Sequence, residues 1–586
     1  MNPPSIEPLG LNLTWLPSDR QPPELTEAEL LELAREAVPN DDLSAYGAAR
    51  LVRYSFDGRR RLRAWRLEVE LTEFPEPPLA PVFPETPPST SPAHVVVIGS
   101  GPAGLFAALE LVAAGISVTV LERGFDVQSR RRDLASIHRG GAVDADSNYC
   151  HGEGGAGTYS DGKLYTRSGK PAEVARVLRV LVEHGAPSEI QQSWRPHIGS
   201  NRLPNVVTAL RERIEAGSGR MLFGARAVEL LTREEAGERR VVGLRYVQRA
   251  AHGEETTAPV EHELACDAVI AATGHSALDA LWMLRRAGVR LEAKGFAMGL
   301  RLEAPQGWLD ELQYGGLRKT HDLPASFFEL VTERKSRGVY SFCMCPGGFI
   351  VPASTAADRM VVNGMSLSRR DSLFANSGMV VAVEPEDLCA GRGMRWGAAQ
   401  LLRAAAEGGF SILGEELSER LAGGWLPEAP GDEPMIGIAV QRALEFEAGR
   451  LGGGANRAPA QRTDHFVAGR AQTSRPLESS YQAGLTESDL ARFLPRGLSE
   501  RLRAALKEFD ESLPGLVGPA SQVVGVESRT SSPVRVPRDK ETLESPDLKG
   551  LYPSGEGAGF AGGIVSAAID GARVGARVAK EQLAAR

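Results

Sequence analysis

The sequence predicts an α/β fold with three parts: a discontinuous Rossmann-like domain, an inserted α+β domain and a small N-terminal α+β module. A strand–glycine turn–helix–strand pattern occupies residues 94–124, and a glycine-rich segment at 551–563 precedes a terminal helical pattern. Eight prolines within 74–92 form a semi-rigid linker before the first pattern. The expected boundaries are a module at 1–73, a linker at 74–93, the first part of the Rossmann-like domain at 94–280, the inserted domain at 281–520 and the last part at 521–586.

The N-terminal module contains one helical pattern and one strand pattern. Residues 26–38 begin with Thr26 and Glu29 at capping-box spacing, and residues 63–71 alternate between apolar and charged side chains. Because the module holds no cofactor motif, we expect the rest of the chain to fold and bind its cofactor without it. Its arginines indicate a solvated sheet edge or, alternatively, a docking surface for an acidic protein partner; they are Arg53, Arg59, Arg60, Arg61 and Arg63.

The pattern at 94–124 carries a dinucleotide-binding fingerprint. Residues 95–98 are an apolar run typical of a buried parallel strand. The GxGxxG turn that follows permits a tight bend, close approach of a pyrophosphate and close helix–strand packing. Glu122 stands 18 residues after the last glycine, where an acid can accept hydrogen bonds from a ribose. The alternative is a glycine turn in an ordinary α/β sheet. The turn residues are Gly99, Gly101, Pro102, Ala103 and Gly104.

The segments after this unit alternate between helical and strand patterns. Residues 205–215 have a helical pattern, and a buried strand at 266–274 ends in Thr273 and Gly274, small residues that let a cofactor come close. Residues 281–520 mix both patterns without a second nucleotide fingerprint, so we interpret them as a substrate domain. The further strand patterns of the first part are 221–231, 240–247 and 261–264.

Composition excludes several classes of function. The net charge of −8 argues against affinity for nucleic acid or acidic membranes. Five scattered cysteines without a CxxC pair indicate neither a disulfide framework nor a metal site. The chain shows no signal-peptide pattern and no apolar run of membrane-spanning length, which predicts a soluble cytoplasmic protein without membrane contact.

Two observations favour FAD over NAD as the dinucleotide. The candidate cofactor positions are spread from residue 99 to residue 556, which fits an elongated cofactor that crosses most of a domain. The helical pattern at 564–584 begins after Gly562 and Gly563, and a helix N-terminus offers N–H groups and a positive dipole end to the pyrimidine edge of a reduced flavin. NAD(P)H stays open as a transient electron donor, although the missing second fingerprint argues against a dedicated NAD(P)H domain.

Several long motifs resemble one family. The chain is similar to an uncharacterised bacterial and plastid family of FAD-dependent dehydrogenases, within the two-dinucleotide-fold flavoproteins of the glutathione-reductase-like superfamily. The motifs are NYCHGEGGAGTYSDGKLYTR at 148–167, FCMCPGG at 342–348, NGMS at 363–366, ANS at 375–377, APAQR at 458–462, ESRTSSPVR at 527–535 and YPSGEGAGFAGGI at 552–564. The leading YSFDGR at 54–59 departs from the family's SxDAR signature.

The resemblance implies roles for individual residues. The fingerprint turn would hold the pyrophosphate, Glu122 the adenosine ribose, and the backbone near Val228 the adenine. Arg123 is predicted as a further cofactor-binding position. Thr273 and Gly274 would lie along the cofactor. Near the C-terminus the implied contacts to the ribityl chain and the flavin ring are Gly555, Glu556, Gly562, Gly563 and Ile564.

Two residues are candidates for catalysis, Lys163 and Arg529. Gly154 and Gly155 allow a loop to cross the flavin, which would bring Lys163 to an anionic substrate or a substrate carbonyl. Alternatively the loop is structural and Lys163 pairs with Asp161 or a phosphate. Arg529 fits an anion site at the flavin or, equally, a structural ion pair.

Three further groups have a structural and a chemical interpretation. Cys343 and Cys345 fit buried core positions better than a redox pair, because a CxC disulfide ring is strained. His275 fits a buried, hydrogen-bonded histidine better than a proton shuttle, and Cys150 a structural cysteine better than a nucleophile. The sequence thus predicts an FAD-dependent oxidoreductase acting on a small molecule, with an RNA-modifying or a non-redox FAD protein as alternatives.

Overall fold

The computed structural model describes residues 7–584 except 19, 40–41, 59–62, 78, 85–90, 167–168, 236, 251–257, 333–336, 412–414, 455 and 472–477. The N-terminal module is a three-stranded antiparallel sheet in the order β1-β3-β2 with one helix against it. Thr26 caps that helix, and Glu29 completes the capping box as predicted. The elements are β1 (Leu9–Trp15), α1 (Glu27–Ala37), β2 (Ala48–Asp57) and β3 (Ala64–Thr72).

The next segment builds most of a parallel sheet and a three-stranded antiparallel sheet, β7-β8-β9. Its elements are β4 (His94–Ile98), α2 (Pro102–Ala113), β5 (Ser117–Leu121), α3 (Val127–His138), α4 (Pro171–Glu183), α5 (Leu203–Ala216), β6 (Arg220–Leu222), β7 (Ala225–Glu235), β8 (Glu238–Gln248), β9 (Val260–Ala265), β10 (Ala268–Ala271) and α6 (Leu278–Arg286).

The remaining chain forms a second, mostly antiparallel region and then returns to the parallel sheet. Its elements are β11 (Glu292–Ala293), β12 (Phe296–Pro305), α7 (Gln306–Tyr314), β13 (Val331–Thr332), β14 (Val339–Cys345), β15 (Phe349–Pro352), β16 (Val362–Met365), β17 (Phe374–Val383), α8 (Arg392–Trp396), α9 (Ala398–Glu407), α10 (Glu415–Ala422), α11 (Ile436–Gly452), β18 (Ala458–Arg462), α12 (Thr463–Ala468), β19 (Leu485–Glu487), α13 (Leu490–Phe493), α14 (Arg496–Ser512), β20 (Gln522–Glu527), β21 (Val534–Arg535), β22 (Leu551–Pro553) and α15 (Ile564–Ala584).

The parallel sheet has five strands in the order β22-β10-β4-β5-β6. Its central strands are buried on both faces, because α2, α5 and α15 cover one side and the antiparallel strands cover the other. This agrees with the apolar run at 95–98 and confirms the predicted α/β class with a parallel sheet. Since β22 pairs with β10, chain segments on both sides of the second region contribute to one sheet.

The second region is organised by a seven-stranded sheet in the order β13-β14-β17-β12-β20-β18-β19. Its strand β20 pairs antiparallel with β12 and with β18. The predicted boundary at residue 520 assigned this strand to the last part of the Rossmann-like domain, whereas its hydrogen bonds place it in the second sheet. The reason is its fully buried VVGVE run, which has the same pattern as a central strand of either sheet.

The N-terminal module packs directly on the body of the protein, and folding and cofactor binding of the rest of the chain without it stay a prediction. Tyr314 and Leu323 belong to its apolar core. Arg63 donates to the carbonyl oxygen of Tyr314, and the guanidinium of Arg53 lies 3.8 Å from the ring centre of Trp194. The solvated-edge interpretation is therefore wrong for these two arginines, which face an internal interface. Arg59, Arg60 and Arg61 lie outside the described residues.

Phe56→Ala is expected to lower the free energy of unfolding by about 2 kcal/mol, because an aromatic side chain at the interface is lost. The Phe56 ring meets Trp65 edge-on at 5.1 Å and Tyr314 at 5.4 Å between ring centres. Urea denaturation measures the loss. Val52→Ala, on the same strand but 40% exposed, is the matched control and should change stability by less than about 0.5 kcal/mol. An equal effect of both substitutions would contradict the docked arrangement.

Candidate functional site

A long cavity opens at the carboxyl ends of the parallel strands. Its wall includes Ile98 at the end of β4, Glu122 just after β5, Thr273 after β10 and Glu556 after β22. Ligands of open α/β sheets bind at this edge, because the loops that leave the strands diverge there. The second region closes the cavity with residues of β14, β16 and the segment after β20.

Glycines form a side-chain-free track along this cavity. A Cβ built on Gly101 would meet only the Cα of Gly155, at 3.9 Å. A Cβ on Gly274 or Gly562 would meet no atom of the described residues within 4 Å. These positions line the cavity, so the missing side chains leave space in it that other protein atoms do not fill. An extended dinucleotide such as FAD fits this cradle.

Other fingerprint glycines serve the backbone itself. A Cβ on Gly104 would lie 1.9 Å from the carbonyl oxygen of Gly99, and one on Gly154 would lie 2.0 Å from the hydroxyl of Thr158. Gly99 has φ +101°, which a side chain rarely tolerates. These glycines hold the two loops in shape, whereas Gly101 and Gly155 lie close to each other in the cavity wall.

The structure brings most of the predicted site residues together. Those in the cavity wall are Gly99, Gly101, Pro102, Ala103, Glu122, Arg123, Gly155, Thr273, Gly274, Arg529, Glu556, Gly562, Gly563 and Ile564. Those behind the wall or beside it are Gly104, Gly154, Lys163, Val228 and Gly555. Val228 follows Ala227, which does line the cavity, and its carbonyl accepts from Arg286.

Glu122 is already fully engaged by the protein. One carboxylate oxygen accepts from the backbone N–H and the hydroxyl of Ser100, at 3.0 and 2.7 Å. The other accepts from the N–H groups of Gly124 and Gly152, at 3.0 and 2.9 Å. A carboxylate has about four acceptor positions, so this side chain ties three loops together at the cavity wall. Its role towards a ribose stays a prediction.

Charged side chains surround the same end of the cavity. Arg123 lies between Asp146 and Asp279, with N–O distances of 2.5 and 2.8 Å. Arg226 approaches Asp279 to 3.6 Å. Arg123, Arg226 and Asp279 all line the cavity, so both signs of charge are available there to polar groups of a nucleoside.

The segment after β22 places an acid in the middle of the wall. Burial raises the pKa of Glu556 to about 7, and Lys294 is the cation that partly offsets this effect. The neighbouring Gly555 donates its N–H to Asp570 at 2.7 Å, which fixes the turn. Farther along, α15 begins at Ile564, which lines the cavity together with Gly562 and Gly563 directly before it.

Arg529 is held rigidly in the wall. It contacts both oxygens of the fully buried Glu445, at 2.8 and 2.6 Å, and donates to Ser276 and Thr355 at 3.1 Å. The pair with Glu445 is the structural ion pair that was one of the two interpretations of Arg529. The guanidinium also lies in the cavity wall. Asn363 also lines the cavity. The sequence had indicated this residue only as part of the NGMS motif and had predicted no role for it.

His275 lies next to Arg529 in the same wall. Its Nδ1 is 2.8 Å from the hydroxyl of Ser276, as expected for a hydrogen-bonded histidine. Burial and the nearby Arg529 lower the pKa of His275 to about 4. The imidazole is therefore neutral at pH 7 and can accept a proton at the cavity surface.

This shift predicts a pH effect on stability. The unfolded chain takes up a proton on His275 near pH 6.5, whereas the folded protein does so only near pH 4, so the histidine costs stability as the pH falls through this window. His275→Gln should therefore lose less unfolding free energy between pH 7 and pH 5 than the original protein. Urea denaturation at several pH values measures both slopes. Identical slopes would contradict the depressed pKa.

Lys163 lies behind the wall rather than in it. Its Nζ is 3.0 Å from Asp161, which is the structural alternative considered for this residue. Asp161 also pairs with Arg370 at 2.9 Å. The same Nζ lies 3.7 Å from the Sγ of Cys343 and 3.4 Å from that of Cys345. Cys343 does line the cavity, so Lys163 reaches it only through the cysteine pair.

Within the described ranges, no helix combines the length and apolar character that crossing a bilayer requires. No cluster of three or more histidine, cysteine, aspartate or glutamate side chains in that part of the chain is arranged to hold a metal ion.

Comparison with known proteins identifies the family. Residues 295–415 and 426–530 match the family described as FAD-dependent protein, C-terminal domain-like, and residues 94–149 match the FAD dependent oxidoreductase family. An uncharacterized protein of Clostridium beijerinckii is 37% identical over 485 residues, which cover 82% of this chain and 80% of the relative.

Two solved structures resemble this one more distantly. E. coli quinol fumarate reductase FrdA is 13% identical, with 84% of this chain and 71% of that chain covered and a TM-score of 0.33. The 3-ketosteroid-Δ4-(5α)-dehydrogenase of Rhodococcus jostii is also 13% identical, with 85% and 99% covered and a TM-score of 0.32. On the two family matches and the Clostridium beijerinckii relative, the chain belongs to the FAD-dependent oxidoreductase family.

Proposed function

We propose that the protein exchanges a hydride between bound FAD and a small-molecule substrate. The observation that carries this proposal is the glycine track along the cavity, from the fingerprint turn to the start of α15. FAD supplies the two-electron chemistry when it is bound. The contribution of the chain is to hold the cofactor, to orient the substrate and to provide fixed charges and a proton acceptor.

The proposed contacts to FAD are the residues that line the cavity or lie directly beside it. The fingerprint turn and Gly155 would hold the pyrophosphate, since two glycines that lie close together and a helix N-terminus suit an anion. The adenosine end would meet Arg123 and the backbone beside Val228, while Glu122, whose acceptor positions the protein fills, would hold the loops around it. Along the rest of the cofactor the proposed contacts are Thr273, Gly274, Gly555, Glu556, Gly562, Gly563 and Ile564.

Arg529 and His275 are the residues that we propose to contact the substrate. The four hydrogen bonds of Arg529 fix its guanidinium, so it can orient an anionic or carbonyl group without moving. The neutral His275 can accept a proton as a substrate C–H or O–H group is oxidised. A hydroxy acid or another small polar alcohol has both features. NAD(P)H is proposed only as a transient donor.

The first test identifies the cofactor. The purified protein is denatured, and the released chromophore is separated and compared with FAD, FMN and NAD. We expect one FAD per chain. A colourless protein that does not take up added FAD would overturn the proposal.

The second test addresses redox activity. Under anaerobic conditions the FAD-loaded protein is mixed with NADH, NADPH and a panel of small hydroxy acids and alcohols, and bleaching of the flavin absorbance is followed. We expect at least one donor to reduce the flavin, and His275→Gln to slow this reduction without loss of FAD. A flavin that dithionite reduces but no biological donor does would favour a non-redox role.

A further inference from the structure

Cys343 and Cys345 form an unusual pair beside the cavity. In a regular strand, residues two apart lie on one face with separated side chains. Here β14 contains a bulge between Phe342 and Cys345, and Cys343 has φ +46°. This bend places both sulfurs beside the Nζ of Lys163, which lies 3.7 Å from the Sγ of Cys343 and 3.4 Å from that of Cys345. The expectation of ordinary core cysteines rested on the strain of a CxC disulfide ring, and the bulge changes the backbone that such a ring would close.

The two cysteines differ in access. Cys343 forms part of the cavity wall together with Phe342, whereas Cys345 is 0% exposed. Its Sγ lies 3.3 Å from the carbonyl oxygen of Cys343. One thiol can therefore meet a small molecule in the cavity, and the other can be reached only from its partner.

The charges around the pair favour a thiolate. Lys163 and Arg370 share the single carboxylate of Asp161, and Arg301 pairs with Glu527 at 2.8 Å. Three cations thus face two carboxylates, so an ionised thiol neutralises the excess positive charge. His197 adds no further positive charge, because burial and Arg370 lower its pKa to about 4 and leave it neutral at pH 7.

Access decides which thiol can attack, because only Cys343 of the two lines the cavity. The Cys345 thiol and the nearby Lys163 and Arg301 lower the pKa of Cys343 well below its ordinary value. Burial and the neighbouring Cys343 sulfur raise the pKa of Cys345. A low-pKa, accessible thiol next to a protonated second thiol is the arrangement of an attacking and a resolving cysteine.

We propose that Cys343 and Cys345 are a redox-active dithiol that reduces a low-molecular-weight disulfide. The Cys343 thiolate attacks one substrate sulfur, a new S–S bond forms, and one substrate thiolate leaves. Cys345 then loses its proton to that thiolate and attacks the Cys343 sulfur, which releases the second substrate thiolate and forms the internal disulfide. Two electrons and one proton from reduced flavin restore the starting pair. This inference rests on the FAD-dependent function proposed above.

The test uses the full chain and bis(2-hydroxyethyl) disulfide as the probe. After treatment, remaining thiols are blocked in denaturant and the peptides are mapped by mass spectrometry. We expect one disulfide, between Cys343 and Cys345, and a trapped mixed disulfide on Cys343 in Cys345→Ser. Cys389→Ser, which removes a buried thiol outside the cavity, should behave like the original chain.

A second measurement follows alkylation of Cys343 by iodoacetamide against pH. At pH 6.5 we expect it to react about 10- to 100-fold faster than an ordinary thiol, whose pKa is about 8.5. Lys163→Met should move the midpoint of this profile to higher pH. A pair that stays reduced, an ordinary alkylation profile, or a disulfide from Cys343 to Cys150 would overturn the inference.

The outcomes also separate this inference from the proposed function, because mass spectrometry scores the thiols without any flavin signal. A colourless protein that still forms the Cys343–Cys345 disulfide with the probe would overturn the FAD function and the return of the pair by reduced flavin, but not the dithiol itself. A yellow protein whose pair stays reduced would overturn the dithiol alone.

Discussion

Gly101→Val is expected to empty the cavity of FAD while the protein stays folded. The backbone of Gly101 has φ −69° and ψ −179°, which valine adopts without strain. A Cβ there would contact only Gly155, at 3.9 Å, so the new side chain projects into the cavity and not into the protein. It would occupy the space proposed for the pyrophosphate. Overlap with a ligand at this point should weaken binding by about 10- to 100-fold or more.

The measurement compares FAD per chain after gel filtration, together with the thermal unfolding midpoint in the absence of added FAD. Gly10→Val is the matched control, since Gly10 lies in β1, where a Cβ would meet no described atom within 4 Å and no cavity residue is near. The control should keep its flavin. If Gly101→Val also retains one FAD per chain, the pyrophosphate does not lie at this turn.

The sequence predicted the local elements of the site better than the contacts between segments that are distant in the chain. The turn after β4 and the helix that follows it could be predicted because glycine spacing, Pro102 and an apolar run act within a few residues. The resemblance of the C-terminal motif likewise indicated Gly562 and Gly563, which line the cavity. These features depend on backbone freedom, which glycine and proline mark directly.

The side-chain contacts that position the site residues were harder to predict. Lys163 looked like a cavity residue because it follows a glycine loop, yet Asp161 two residues earlier draws it behind the wall. The bulge between Phe342 and Cys345 carries a contact to Arg301, whose guanidinium donates to the Cys343 carbonyl at 2.8 Å. A hydrophobic periodicity does not predict a hydrogen bond between two residues that are 42 positions apart in sequence. Only the FCMCPGG motif marked the segment.

The N-terminal module shows the same limit. Its helix cap and strand alternation are local and appear as predicted, whereas its docking involves Tyr314 and Leu323, far along the chain. The proline-rich linker suggested that the module lies apart from the rest of the protein. A linker limits only the distance that the module can span, however, and does not determine which surfaces the module contacts.

The largest effect on stability is expected for Arg301→Met. Arg301 is 0% exposed and pairs with Glu527, which is 2% exposed, at 2.8 Å. Its Nε also donates to Asn376 at 2.9 Å. Removal of the cation leaves a buried carboxylate without a partner, which costs about 3–5 kcal/mol in the free energy of unfolding. Burial already raises the pKa of Glu527 beside Arg301, so the deficit should be larger at pH 8 than at pH 6.

Urea denaturation at both pH values measures this deficit, and two further variants decide its cause. Arg50→Met breaks an exposed pair with Glu70 and should cost less than about 1 kcal/mol. In the double variant Arg301→Met with Glu527→Leu no charge is left unpaired, so most of the lost stability should return. If the double variant is as unstable as Arg301→Met, the arginine acts through its hydrogen bonds to Asn376 and the β14 bulge. In that case the alkylation midpoint of Cys343 should shift in the double variant as well, because the bulge would lose its anchor.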